Sequence, residues 1–218
     1  MKIGLVVPII NDRYINGLLN CIEKNSIHPS SVIIIDNSAS GIKIETGKRR
    51  FHIITHKPPV PLGVNASWNY GLRELAKNND LISVFNDDLL LENLFFEKMI
   101  RLTSIHKEAG VFCPTTVNTQ EELNHNLPVG KETGIGMGKR EGWAWTIRTS
   151  ILKDIPPIPD QLKTFCGDDW YWSRCKKLKR PWIKMIDVLC YHFVGISKRG
   201  SNDFGKDKAA LQTVEKDS

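Results

Sequence analysis

A chain of 218 residues, 41% apolar and 25% charged, can bury a real core as one α/β domain or at most two small ones, which excludes a disordered polymer. Its formal charge of +6 and pI near 9.0 suit an anionic partner, whether a nucleotide, a nucleic acid or a membrane surface, without choosing among them. The cysteines (Cys21, Cys113, Cys166, Cys175 and Cys190) are odd in number and form no CxxC pair, so neither a disulfide framework nor a zinc knuckle is expected, and a reduced, cytoplasmic chain is.

The opening MKIGLVVPIINDRY has one Lys, a short apolar run and no small-residue cleavage site, so it reads as a first strand rather than a signal peptide. No run approaches the roughly 18 apolar residues that span a membrane. Ile3 to Ile10 is β-branched and apolar, the pattern of a strand buried on both faces. Tyr14, Leu18, Leu19 and Ile22 recur at helical spacing. Val32 to Ile35 reads as a second buried strand that stops at Asp36-Asn37-Ser38, and Phe51 to Thr55 as a third. A Pro-rich turn from Lys57 to Gly63 leads to a helix near Asn65 to Lys77. Leu81 to Phe85 is a fourth strand, ending at Asn86-Asp87-Asp88, and Phe95, Met99, Leu102 and Ile105 mark another helix.

The second half is less regular. Val111 to Thr116 and Trp143 to Ile147 read as strands, separated by a polar, Gly-rich stretch from Asn118 to Arg140 with the length of a functional lid. Gly167-Asp168-Asp169 opens a helix bearing Trp170, Tyr171 and Trp172. Ile183 to Tyr191 is a last strand, ending at His192, and residues 198–218 read as a polar tail after a domain of 1–197. Apolar strands alternating with amphipathic helices imply one domain with a mostly parallel central sheet and helices on both faces. Ligands bind such sheets at the carboxyl ends of the strands, where Asp36 and the Asn86-Asp87-Asp88 group both fall.

Adjacent carboxylates after a core strand repel each other and cost desolvation energy. A helix N-cap or a bound cation would each offset that cost. Asp36 has two readings as well: an acceptor-only group for a ligand, or an Asx cap before Asn37-Ser38. A first-turn cap is the alternative for Asp168-Asp169.

In order along the chain, LVVPIIN, VIIIDNSAS, GVNASWNYGL, VFNDDLLL, GWAWTIRTSIL, FCGDDWYW and CYHFVG resemble the segments of GT-A nucleotide-sugar glycosyltransferases, and most closely the family 2-like group, from roughly Lys2 to Gly195. The resemblance implies a Rossmann-like GT-A fold and transfer of a sugar from a nucleoside-diphosphate sugar, UDP or dTDP favoured, to an acceptor hydroxyl with inversion. It puts Pro8, Ile9, Asn11, Asp36, Asn37, Asn65, Asn69 and Asp87 around the nucleotide, with Asp36 accepting from the N3–H of uracil or thymine. Asp88, His192 and Asp87 would hold Mn²⁺ or Mg²⁺, and Asp169, with Asp168 beside it, would be the general base. Trp170 is expected at the acceptor, and Lys198 and Arg199 over the diphosphate. The sequence departs from the family pattern at Asn86, in the first position of the DxD-type motif, and at Asp168, where Glu is usual.

The acceptor expected from this resemblance is a glycan, a glycolipid or a protein-linked glycan. No nucleic-acid motif accompanies the charge, so a nucleic-acid partner is not expected, although a non-catalytic nucleotide-sugar- or nucleic-acid-binding domain is the competing reading. The run Arg174, Lys176, Lys177, Lys179, Arg180 and Lys184 allows a peripheral contact with an anionic membrane. The QxxRW signature of processive synthases is absent.

Overall fold

The computed structural model describes residues 1–124, 127–131, 134–136, 142–193 and 203–216. Nine strands among them form one sheet. They are β1 (Ile3–Ile9), β2 (Ser31–Asp36), β3 (His52–His56), β4 (Leu81–Phe85), β5 (Leu89–Leu91), β6 (Val111–Val117), β7 (Ile135–Gly136), β8 (Ala144–Arg148) and β9 (Trp182–His192). The spatial order is β3-β2-β1-β4-β8-β6-β9-β5, with β7 also on β9. The helices are α1 (Ile15–Lys24), α2 (Val64–Leu75), α3 (Phe95–Ile105), α4 (Thr149–Leu152), α5 (Gly167–Lys177) and α6 (Asp203–Lys216). None is long and apolar enough to cross a membrane.

The sheet is parallel across β3-β2-β1-β4, as uninterrupted apolar strands with helical crossovers require. Beyond β4 it is mixed. β8 runs antiparallel to both β4 and β6, β9 runs parallel to β6, and β5 and β7 run antiparallel to β9. Pro8 is tolerated within central β1 because pairing with β4 stops at Val6, so no ladder bond is lost on that side.

Alternation along the strands sends side chains to two cores, one on each face of the sheet. Leu5, Val7 and Ile9 pack with Leu18 and Ile22 of α1 and Phe95, Phe96 and Met99 of α3. Val6, Ile33 and Val84 pack with Trp68 and Leu72 of α2 and Tyr171 and Cys175 of α5. Fully burying each such Leu, Ile, Val or Phe side chain is worth about 1.5–3 kcal/mol. None of the five cysteines is in a disulfide.

Two features differ from the sequence expectation. Residues 203–216, read as a polar tail, form helix α6, whose Ala210, Leu211 and Val214 pack against the second core. The polarity of this segment hides one docked face: Asp207 is only 3% exposed and finds partners described below. The residues after Asp88 form strand β5, and the next helix starts only at Phe95, so the acidic pair is not a helix N-cap.

β5 is held by a buried ion pair. Lys98 Nζ lies 2.5 Å from Glu92 Oε2, with both side chains fully buried. Glu92 Oε1 accepts from the Leu189 N–H at 2.7 Å, and Lys98 also donates to the Asp187 carbonyl at 2.9 Å. This network pins β9 to the β5–α3 corner and sets the register in which Leu89 faces His192.

Candidate active site

The strand ends gather the polar residues at one edge of the sheet. Asp36 ends β2 and is almost wholly buried. Its Oδ1 accepts from the Ser38 N–H at 2.8 Å, and Lys57 Nζ is 3.3 Å away. Burial pushes the Asp36 carboxyl upward, but the Ser38 hydroxyl and N–H and the Lys57 ammonium outweigh it and hold it below its ordinary value. The Asx-cap reading of Asp36 is therefore realised. It caps its own turn, and it is also an ionised acceptor at a strand end, with Lys57 as a partner that sequence spacing did not suggest.

Asn86 follows β4, and its N–H donates to the Trp143 carbonyl at 2.8 Å, which ties the acidic segment to the start of β8. Burial, with the Asp88 charge beside it, pushes the Asp87 carboxyl up to about 7. Asp88 Oδ1 lies 3.1 Å from His192 Nε2 without hydrogen-bond geometry. Both Asp88 Oδ1 and His192 Nδ1 are buried with no hydrogen-bond partner among the described residues. The Phe193 N–H donates to the Asp88 carbonyl at 3.0 Å. The His192 ring stacks on Trp143 at 4.7 Å and 14°, and Trp143 Nε1 donates to Thr116 Oγ1 at 2.9 Å. Hence β4, β6, β8 and β9 all contribute to holding one imidazole beside one carboxylate.

This pair suits a divalent cation: a buried carboxylate oxygen that the adjacent imidazole does not satisfy is a donor aimed at something else. Among the described residues no three His, Cys, Asp or Glu side chains close on one point. Any cation here would leave most of its coordination positions to water or ligand oxygens, as Mg²⁺ and Mn²⁺ commonly do with phosphates.

Asp168 and Asp169 lie in the first turn of α5, where the N-cap is Cys166 in a left-handed conformation (φ 62°) with no capping side chain. Successive helical residues point about 100° apart, so the two carboxylates have different surroundings. Asp168 lies against Gly142: a Cβ added there would sit 2.5 Å from Asp168 Oδ2. Gly142 precedes Trp143, so Asp168 reaches the neighbourhood of the Asp88–His192 pair. Asp169 is in hydrogen-bond contact with the Cys166 side chain.

Several expected residues have other work. Trp170 is buried, donating Nε1 to the Pro156 carbonyl at 3.0 Å with the Arg174 guanidinium 3.8 Å from its ring, so it packs the core instead of meeting an acceptor. Trp172 is the exposed indole of that helix, and Lys176 lies over it. Asn65 is buried and donates Nδ2 to the carbonyls of Leu162 and Phe165. Asn69 exchanges two hydrogen bonds with Ile158, and Asn37 bonds the Leu62 N–H and the Ser67 hydroxyl. All three amides brace neighbouring segments: Asn69 satisfies a backbone donor and acceptor at once, Asn37 a backbone N–H and a hydroxyl, and Asn65 two carbonyls, with its buried Oδ1 finding no partner among the described residues. Asn11 is exposed and accepts from the Arg13 N–H at 3.0 Å, whereas the Pro8 and Ile9 side chains are buried in β1. Arg174, from the basic run, is also buried. Lys198 and Arg199 lie outside the described residues.

No family model and no curated protein matches the sequence. Solved structures do match. One of S. aureus TarS 1-349 in complex with UDP gives a TM-score of 0.67 at 16% identity, covering 98% of this chain and 71% of that one. GalNAc-T7 with UDP, GalNAc and Mn²⁺ gives 0.69 at 10% identity, covering 98% and 48%. The mannosyltransferase PcManGT from Pyrobaculum calidifontis, with GDP-Man and Mn²⁺, gives 0.68 at 16% identity, covering 97% and 64%. Against a longer TarS chain, this one spans 43% of its length. The fold is that of the GT-A glycosyltransferases.

Proposed function

We propose that the chain is a metal-dependent glycosyltransferase that moves a sugar from a nucleoside-diphosphate sugar, UDP or dTDP favoured, to an acceptor hydroxyl with inversion. The observation that carries this reading is the convergence at one sheet edge of Asp36, the Asp88–His192 pair and the first turn of α5, within a GT-A fold. The neighbours' ligands support it: UDP with TarS and GalNAc-T7, GDP-Man with PcManGT, and Mn²⁺ with the last two.

In this reading the ionised Asp36 accepts the N3–H of uracil or thymine. Asp88 and His192, with Asp87 beside them, would hold Mn²⁺ or Mg²⁺, which when bound supplies positive charge for the leaving diphosphate. Asp169 takes the proton of the acceptor hydroxyl as that oxygen attacks the anomeric carbon, and Asp168 orients the first turn against Gly142. The acceptor is a glycan, a glycolipid or a protein-linked glycan. The exposed Lys176, Lys177, Lys179 and Arg180 offer an anionic membrane a peripheral contact.

The test is a thermal-shift series with UDP, dTDP, GDP and CDP, each with Mn²⁺ and with EDTA. A ligand that binds only the folded state raises the midpoint by mass action. A metal-dependent shift with UDP or dTDP is expected. A shift with GDP alone would overturn the Asp36 contact, and no shift with any nucleotide would overturn the donor assignment.

A further inference from the structure

Helix α6 is attached through a buried charge, Asp207. The Asp207 carboxylate accepts three successive backbone N–H groups, from Lys163 at 3.2 Å, Thr164 at 2.8 Å and Phe165 at 2.7 Å. Successive N–H groups converging on one anion form a nest, and a carboxylate there makes charge-assisted bonds stronger than neutral ones. Phe204, one turn earlier on α6, meets Phe165 edge to face at 5.6 Å.

The same loop is held from its other side by Asn65, which donates to the carbonyls of Leu162 and Phe165 and whose N–H reaches the Lys163 carbonyl at 3.3 Å. The loop runs directly into Cys166, whose left-handed backbone turns the chain into α5. Gly167 is pressed so closely on Asn65 and Trp68 that a Cβ would collide with both. The chain from Leu162 to Gly167 is thus clamped between α2 and α6, and the next two residues are Asp168 and Asp169. Burial pushes the Cys166 thiol up to about 11, reinforced by the charges of Asp169, Asp168 and Asp207, so all three carboxylates surround this turn.

We infer that Asp207 is a positioning residue: by holding the backbone of residues 163–165 from α6, it sets the first turn of α5 and with it the carboxylates of Asp168 and Asp169. The catalytic consequence rests on the proposed function, whereas the mechanical one does not. The position is remote from the site motifs in sequence, and nothing in the composition of residues 203–216 marks it.

Asp207→Asn keeps one acceptor oxygen but loses the charge and the second acceptor, so the nest is no longer filled. Amide hydrogen exchange on the full chain is the primary measurement. Exchange at residues 163–170 is expected to speed up by about tenfold or more, while β1, β4 and α3 keep their protection. In transfer assays kcat is expected to fall with the donor KM unchanged, because the donor contacts lie on other elements. Unchanged protection at 163–170, or a uniform loss over the whole chain, would overturn the inference. Should Asp207→Asn not fold, Phe204→Ala, at a residue 52% exposed, loosens the same docking and is judged by the same pattern. A wild-type chain that binds no nucleoside diphosphate would sink the proposed function, and the exchange result would still decide the clamp.

Discussion

The two halves of the sheet place their functional groups by different means. Around β1, β2 and β4 the chain reaches the sheet edge by regular parallel pairing, and Asp36 and Asp88 arrive there as the last residue of one apolar strand and in the segment after another. Beyond β4 the strand directions mix, and His192, Asp168 and Asp169 are held by contacts between distant segments: Glu92 with Leu189, Trp143 with Thr116 and His192, and Asp207 with residues 163–165. In the first half periodic burial positions the site, and in the second half individual polar bonds do. Substitutions should therefore be tolerated very differently in the two halves.

The largest effect is expected in the second half, at the residue proposed as the general base. Asp169→Asn should lower kcat by about 10²–10⁴-fold, the usual contribution of a positioned base, with the nucleotide-dependent thermal shift intact. Equal activity in Asp169→Asn and wild type, with activity lost in Asp168→Asn, would transfer the role of base to Asp168. Next is the buried pair. Lys98→Met leaves Glu92 in the core without its counter-ion and should cost about 3–5 kcal/mol in urea unfolding, and Glu92→Gln with Lys98→Met should recover part of it. A loss under 1 kcal/mol would mean that long-range polar contacts do not carry the second half.

Most elements were legible in the sequence, and the contacts between them were not. The strands β1 to β4, β6, β8 and β9, the helices α1 to α3 and α5, and the acidic groups at the ends of β2 and β4 follow from apolar runs and helical periodicity, which are local properties. Strand β5 was not legible, because Leu89–Leu91 is too short for a period and its pairing with β9 lies a hundred residues away along the chain. Asn65 and Asn69 looked like ligand contacts because an amide in a motif and an amide bracing a loop are the same residue type; only the partners at Leu162, Phe165 and Ile158 tell them apart. Trp170 was misplaced for a related reason: an indole packs and stacks equally well, and burial decided it. Trp143 lies in a segment the sequence marks, but its stack on His192 carries no local signal, and neither do the contacts of Lys57 and Asp207.

A smaller effect tests the first half. Asp36→Asn removes the charge that accepts from Ser38 and Lys57 and should cost about 1–2 kcal/mol at neutral pH. The folded-state pKa of Asp36 is lowered from 3.8, so its contribution is fully present above that value and is lost as pH falls through the lower folded value. Wild type and variant should therefore differ constantly from pH 7 down to about 4 and converge in stronger acid. A gap that closes already near pH 6 would mean that another group carries it.

The smallest effect separates two ways of holding His192. Trp143 stacks on the imidazole and donates to Thr116, so either the ring face or the hydrogen bond sets its position. Trp143→Phe keeps an aromatic face and deletes the donor; Trp143→Ala deletes both. An aromatic stack is worth about 0.5–1.5 kcal/mol, which corresponds to roughly a few-fold to tenfold in affinity. Titration calorimetry with UDP and Mn²⁺ should thus show Trp143→Ala weakened by up to about tenfold and Trp143→Phe close to wild type. Equal weakening in both variants would assign the positioning to the Thr116 hydrogen bond. His192 would then be held by a polar bond running from β8 to β6, in keeping with the rest of the second half, and the stack would be only the contact that excludes water from the ring.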